Sequence, residues 1–319
     1  MLKSKLRLLM ILCLVFAATF PAQAQDAKNK SNKEKKVYSG TPVLWRAPDD
    51  IESRNLLLGA GGEAMKPRFD RVTFIEEKTG GWSKKYSVKD ADGNEWVAKL
   101  SKEAQPEVAA NRLLWAIGYT TEIDYLIPRL TVDGKGSFEN VRLEARRKGI
   151  HRTEEWQWEA NPFIGKPELQ GLKIMMAFIN DWDLKNSNNK IIAVRNPASG
   201  ESELLYIVSD LGGTFGKTGG FISRSRNKPS DYAKADFIKA VNGNRIDLNY
   251  GGKNQKLFDN ITVEDAKWLA NVLTRLSDEQ IKDAFRATNY SAEEVDQLAA
   301  AVRARIEALK RISTTSTAD

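Results

Sequence analysis

The sequence predicts an α+β protein of two lobes, a β-rich N-lobe followed by a mostly helical C-lobe. Short alternating segments between Val72 and Leu100, broken at Asp92-Gly93, predict the first. Helical apolar patterns from Pro167 onward predict the second. Between Ile174 and Gly216 an apolar helix leads into a polar loop, a short hairpin and a second acidic turn, a layout that brings Asp183, Asn188 and Asp210 toward one point.

The chain starts with Lys3, Lys5 and Arg7, then an apolar run from Leu8 to Phe20 and the small-x-small triplet Ala22-Gln23-Ala24. This is the pattern of a secretory signal peptide over residues 1–24, cleaved before Gln25. The run is short of the roughly 20 apolar residues a spanning helix needs. No later segment is apolar enough to span either, so the mature chain is expected to be periplasmic or secreted with no membrane span. Removing the three leader cations takes the formal net charge from +7 to +4. The remaining Lys and Arg alternate with acids instead of forming a stripe, so no nucleic-acid partner is expected. Residues 25–37, rich in Lys, Asn and Ser, read as a disordered linker.

The N-lobe is expected over residues 38–148. Val37 to Asp70 shows no firm periodicity, and Leu58 to Gly62 reads as a loop. Val72–Ile75, Lys85–Lys89 and Glu95–Leu100 are predicted strands of an antiparallel meander. Gly80-Gly81 lies in the first turn. It is either an ordinary hairpin turn or, because glycines let backbone N–H groups approach closely, a phosphate-covering loop. Pro106 and Glu107 open a predicted helix with apolar Val108, Leu113, Leu114 and Ile117, ending near Gly118. Tyr125–Val132 and Asn140–Ala145 are the last predicted strands, and Arg146 to Ile150 is the hinge.

The C-lobe is expected over residues 149–312. Pro167–Asn180 is too apolar for a surface helix and is predicted to be buried. Lys190–Val194 and Leu204–Val208 form a hairpin around Pro197, Ser199 and Gly200. Thr214–Asp231 is either a substrate-binding segment or a surface loop, its Arg224, Arg226 and Lys228 facing an anionic substrate or water. Helices over Val263–Leu276 and Ser277–Thr288 carry capping-box spacing at Thr262/Asp265 and Ser277/Gln280. A third helix runs from Ser291 to Ile312, and residues 313–319 are expected to be a disordered tail.

Composition narrows the chemistry. The single cysteine, Cys13, lies in the leader, so disulfides and thiol catalysis are excluded for the mature chain, and the single histidine, His151, rules out multi-histidine metal centres; a Ser-His-Asp triad would have to rest on His151, which reads as a loop or surface residue. Asp, Glu, Asn and Lys remain. Phosphoryl transfer needs positioning, Mg²⁺ against phosphate oxygens and an oriented hydroxyl, and Mg²⁺ is content with one carboxylate, one amide oxygen, phosphates and water. Asp210 and Asn188 supply the metal pair, Asp183 accepts the hydrogen bond of the incoming hydroxyl, and Lys185 neutralises charge on the moving phosphate. The alternative is that Asp and Asn crowd this stretch because they suit a turn.

Asp183-Leu184-Lys185-x-x-Asn188 resembles the catalytic loop of protein kinases, and Asp210-Leu211-Gly212 resembles their metal-binding Asp-Phe-Gly turn. Trp96-Val97-Ala98-Lys99 is similar to the kinase strand whose lysine touches the α- and β-phosphates. The resemblance implies that Glu107 pairs with Lys99. The eight-residue spacing, with Arg112 and Leu113 following, looks like the compact arrangement of HipA-like and phosphatidylinositol-kinase-like proteins. The family's His-Arg pair is replaced here by Asp181-Trp182, and Asp181 with Asn186 offers a second register of the same spacing. What the resemblance implies is a divergent protein-kinase-like fold binding ATP and Mg²⁺, with adenine held at the hinge by apolar contacts and backbone groups. The function implied is phosphoryl transfer to an unknown acceptor, or kinase-like nucleotide binding or scaffolding without turnover. An exported α+β protein of unrelated function is the third possibility.

Overall fold

The computed structural model describes residues 38–148 and 150–315. The expected leader and linker, and the last four residues of the expected tail, lie outside these. The chain is mixed α+β, β-rich in its N-terminal part and helical toward its C-terminus. The first strand, β1 (Thr41–Val43), falls where the sequence had no pattern and pairs in parallel with Glu203–Leu205. Ile51 and Leu56 after it are fully buried.

The meander consists of β2 (Thr73–Lys78), β3 (Lys84–Lys89) and β4 (Glu95–Leu100). Helix α1 (Ala104–Ala116) follows, starting two residues before Pro106, which therefore sits in its first turn, where a missing N–H leaves no bond unmade. Gly118 closes it at φ +98°, and a side chain there would strike the Arg46 carbonyl. Strands β5 (Asp124–Val132) and β6 (Gly136–Arg146) complete a sheet of order β2-β3-β4-β6-β5. Val88, Trp96, Leu130, Val141 and Leu143 pack together on the face of the sheet opposite Lys99 and Arg142.

Past the hinge region, β7 (His151–Arg152) is an exposed two-residue strand, with His151 stacked on Tyr38. Helix α2 (Pro167–Phe178) is buried through Leu169, Leu172, Ile174, Met175, Met176 and Phe178, as its apolar composition predicts. The hairpin β8 (Asn189–Arg195) and β9 (Ser202–Val208) joins β1 and β7 in a second sheet, β1-β9-β8-β7. Trp156 and Trp158 are buried in the same core as α2.

A short α3 (Pro229–Lys234) and a hairpin the sequence did not reveal, β10 (Ile238–Asn242) and β11 (Arg245–Leu248), follow. Helices α4 (Val263–Leu273) and α5 (Asp278–Arg286) both start on complete capping boxes, Thr262 with Asp265 and Ser277 with Gln280. Helix α6 (Ala292–Thr315) runs beyond Ile312, where the tail was expected to begin. Among the described residues no helix is long and apolar enough to cross a membrane.

Candidate functional site

Lys99 is the penultimate residue of β4, and its partner across the sheet is Arg142 of β6. Two cations directly opposite each other destabilise a sheet unless something intervenes. Glu107 does so: one oxygen lies 2.8 Å from Lys99 Nζ and the other is ion-paired with Arg142 Nη1. Helix α1 must deliver this carboxylate, which is 1% exposed, and its early start at Ala104 puts Glu107 in the first turn, near the positive end of the helix.

Lys99 Nζ also lies 3.0 Å from Glu103 Oε2 and 3.1 Å from Asp210 Oδ1. Burial works against the Lys99 ammonium, but Glu107 and then Asp210 outweigh it and hold its pKa above the usual lysine value. Burial likewise works to raise the Asp210 carboxyl, and Lys99 overrides it, keeping that pKa below the usual range.

Asp210 stands just past β9, in Ser209-Asp210-Leu211-Gly212-Gly213, anchored by the fully buried Leu211. Both glycines are demanded by close approach. A side chain on Gly212 would begin 2.5 Å from Glu103 Cβ, and one on Gly213 would begin 2.9 Å from Asp181 Oδ1. The turn is tied to the polar loop by Ser209 N–H, which donates to the Asn188 carbonyl at 2.8 Å.

Asn188 uses its side-chain N–H to donate to the Asp183 carbonyl at 2.7 Å, a bond that does not engage its Oδ1. Asn188, Asp210, Lys99 and Glu107 all line one cavity of about 220 Å³. Asp183 is not among the cavity's lining residues; its carbonyl accepts the Asn188 bond, and its Cβ lies 3.5 Å from where a Gly213 side chain would begin. Its carboxylate is held between two lysines, Lys185 Nζ at 2.9 Å and Lys253 Nζ at 2.5 Å. The structure thus brings Lys99, Glu107, Asp183, Lys185, Asn188 and Asp210 together. Gly80 and Gly81 form the β2–β3 turn, open around Gly80 and with only Lys85 Nζ near Gly81. Ser83, two residues on, is the residue of that turn that reaches inward, donating to Glu103 Oε2 at 2.5 Å.

The alternative register separates. Asn186 Oδ1 accepts the Trp158 backbone N–H at 3.2 Å and so holds the tryptophan segment instead of facing the cavity. Asp181 is fully buried, and its Oδ1 accepts the Asp183 N–H at 3.1 Å while Oδ2 has no partner. Burial pushes its carboxyl up to about 8, with Asp210 and Asp183 adding to the shift against the Asp183 N–H bond.

The hinge residues Arg146, Arg147, Lys148 and Ile150 line a second cavity of about 870 Å³, together with apolar Met65, Trp96, Ile123 and Leu205. Glu122, Glu144, Arg146 and Arg152 line both cavities, and Arg142 the smaller one. Arg142 is ion-paired with Glu122, Glu144 and Asp124 as well as Glu107. Burial and then Glu144 push the Glu122 carboxyl up to about 8. Burial opposes ionisation of Glu144 too, but Arg142, Arg152 and Arg146 together hold it at about 2. Alternation along β6 fixes which residues share a face, and this polar face is turned inward by the ion pairs.

Three side chains belong to the site without having been read from the sequence. Glu103 receives Lys99, Ser83 and Arg226 at once, and its only sequence signal is a place four residues after Lys99. Arg142 sits mid-strand. Lys253 comes from a loop after β11, held by its own N–H donating to the Trp182 carbonyl at 2.9 Å.

The donor set fits Mg²⁺. Among the described residues no cage of three or more His, Cys, Asp or Glu is gathered, and Mg²⁺ does not need one. A single carboxylate from Asp210 and the amide oxygen of Asn188, with phosphates and water, is a sufficient set of hard ligands.

No family model matches the chain, and no curated protein matches it. Among solved structures, the chain is similar to the Helicobacter pylori proinflammatory kinase CtkA at 9% identity and a TM-score of 0.49, over 78% of this chain and 97% of that one. It is also similar to the Rio2 kinase from Chaetomium thermophilum, solved as an ADP/Mg²⁺-phosphoaspartate complex, at 13% identity and a TM-score of 0.30, over 75% of this chain and 72% of that one.

Proposed function

We propose that this protein is an ATP- and Mg²⁺-dependent phosphotransferase that delivers a phosphoryl group to a hydroxyl. The observation that carries this reading is the bridging of Glu107 and Asp210, residues 103 positions apart, by one buried ammonium, Lys99 Nζ. Phosphoryl transfer in kinases requires a strand lysine paired with a helix glutamate, next to a metal-holding aspartate. Here strand, helix and post-hairpin turn deliver those three groups to one cavity.

In this reading Lys99 presents its charge to the nucleotide phosphates, with Glu107 fixing its direction. Asp210 and Asn188 hold Mg²⁺, whose chemistry when bound is neutralisation of charge on the phosphate oxygens. Asp183 accepts the hydrogen bond of the acceptor hydroxyl and orients it, and Lys185 offsets charge on the group in transit. The Gly80-Gly81 turn covers the phosphates from the sheet side. The base is held in the cavity that the hinge lines, between apolar Ile123, Ile150 and Leu205 and the charged Glu144 and Arg146.

The test is transfer of label from γ-labelled ATP by the full chain, with and without Mg²⁺. Wild type is expected to label itself or an added acceptor, and Asp183→Asn to reduce the rate by about 100-fold or more. Labelling that survives both Asp183→Asn and Asp210→Asn sinks the proposal. The clasp of Asp183 between Lys185 and Lys253 favours a second reading, a kinase-like protein that binds nucleotide without turnover. Stabilisation by MgATP with no label transfer selects it.

A further inference from the structure

Cations exceed anions around Asp183. Asp183 alone faces both Lys185 and Lys253, at 2.9 and 2.5 Å. Arg224 adds a third cation. Its guanidinium lies 4.0 Å from the centroid of Trp182, the residue preceding Asp183, and 5.2 Å from that of Phe221, and among the described residues no carboxylate pairs with it. Arg226 also covers Trp182, at 4.8 Å, but its charge is met by Glu103. Lys228 is met by Asp231.

The three cations come from three chain segments laced into one surface. The Lys253 N–H donates to the Trp182 carbonyl at 2.9 Å, and the Gly251 N–H donates to Thr218 Oγ1 at 3.2 Å. The loop bearing Lys253 therefore touches both the loop bearing Asp183 and the segment bearing Arg224. Glycine is needed for this fit, since a side chain on Gly252 would begin 2.7 Å from Trp182 Cα.

An arginine stacked on an indole is held in place while its N–H fork stays available, and that fork matches a phosphate or carboxylate bidentately. Three cations against one carboxylate leave a surplus of two charges, which a phosphate monoester dianion neutralises. We propose that Lys185, Lys253 and Arg224 bind the acceptor, and that the acceptor is a hydroxyl compound carrying a phosphate group. The word acceptor rests on the phosphotransferase reading; the phosphate site does not. Its phosphate docks against Arg224 and Lys253, and drawing Lys253 toward that phosphate frees one oxygen of Asp183 for the hydroxyl.

The test is calorimetric titration of the full chain with glycerol 3-phosphate and, separately, with glycerol. A second arm measures flotation with phosphatidylcholine vesicles containing lysophosphatidic acid, which presents a hydroxyl and a phosphate monoester on a lipid. Binding of glycerol 3-phosphate or of the vesicles, with none of glycerol or of plain phosphatidylcholine, is expected. Arg224→Gln and Lys253→Gln are each expected to weaken it by about tenfold or more, with Arg224→Lys recovering part of the loss. Melting temperatures confirm that the variants fold. Absence of binding in both arms overturns the proposal, as does binding that both Gln variants leave unchanged, since the anion then sits elsewhere. Titration of MgATP into the same preparation keeps the two readings apart: no MgATP binding defeats phosphotransfer while leaving the phosphate site standing, and MgATP binding without either anion does the reverse.

Discussion

A buried ammonium among three carboxylates is held by its partners, so removing it exposes what each was doing. In Lys99→Met, Glu107 keeps Arg142, while Glu103 and Asp210 lose their shared cation. The variant is expected to fold, at a loss of about 3 kcal/mol in urea unfolding, and to show no thermal stabilisation by MgATP. Full stabilisation would remove Lys99 from the nucleotide site. Asp181 works in the opposite sense, because it is buried with one oxygen lacking a partner. Its carboxyl, ordinarily near 3.8, stands at about 8 in the fold. Across that window the unfolded chain has released a proton that the folded chain retains, so wild-type stability falls as pH rises and levels off above the folded value. Asp181→Asn keeps the acceptor for the Asp183 N–H and has no proton to lose. Its advantage over wild type is expected to grow from near zero at pH 4 to several kcal/mol by pH 8, on the order of 1.4 per pH unit. Parallel unfolding curves over that range would show that Asp181 is charged in the fold.

At the scale of elements, α2 is the base on which the loop bearing Asp183 and Asn188 is mounted, and its packing depends on one missing side chain. A methyl on Gly171 would begin 2.3 Å from the Trp268 ring on α4 and 2.7 Å from the Tyr119 hydroxyl, which is itself donating to the Glu168 carbonyl. Gly171→Ala gains helix propensity but is expected to destabilise by about 1–3 kcal/mol through overpacking; a stabilised variant in thermal melts would mean that α2 and α4 slide apart freely. Such elements were readable in sequence because their signals are local: the apolar face of α2, the two capping boxes, the Asp92-Gly93 turn. The same holds for site residues with short separations, Asp183 with Asn188 and Lys99 with Glu107. What was hidden depends on distant pairing. β1 is three residues long and is fixed only by β9, and Lys253 reaches Asp183 across 70 residues from a loop with no pattern of its own. The charged face of β6 was hidden for a different reason. Alternation in β6 marks a polar face, but whether that face meets water or buried countercharges is decided by β5, α1 and β7 together.

For the whole molecule, the cavity is lined by a buried ionic cluster, and Arg142 is the centre of that cluster. It pairs with Glu107 on α1, Asp124 on β5, Glu144 on its own strand and Glu122 just before β5. Arg152 of β7 reaches Glu122 and Glu144, so the cluster ties the first sheet to the second. An isolated surface pair contributes little, but these groups are dry, and the guanidinium is held charged by its carboxylates against burial, which favours the neutral form. Removing it leaves up to four acids without their common cation. Arg142→Met is expected to destabilise by about 3–5 kcal/mol near neutral pH. The sign of the pH dependence follows from the acids: Arg142 acts to lower the carboxyls of Glu122, Asp124 and Glu144, so without it their folded pKa values rise, and acidification protonates them in the fold and relieves the repulsion. The gap to wild type is therefore expected to narrow as pH falls from 8 toward 5, measured by urea unfolding of both proteins at each pH. A gap that is constant with pH would mean that Arg142 acts by filling space, and that the two sheets are joined by their apolar contacts alone.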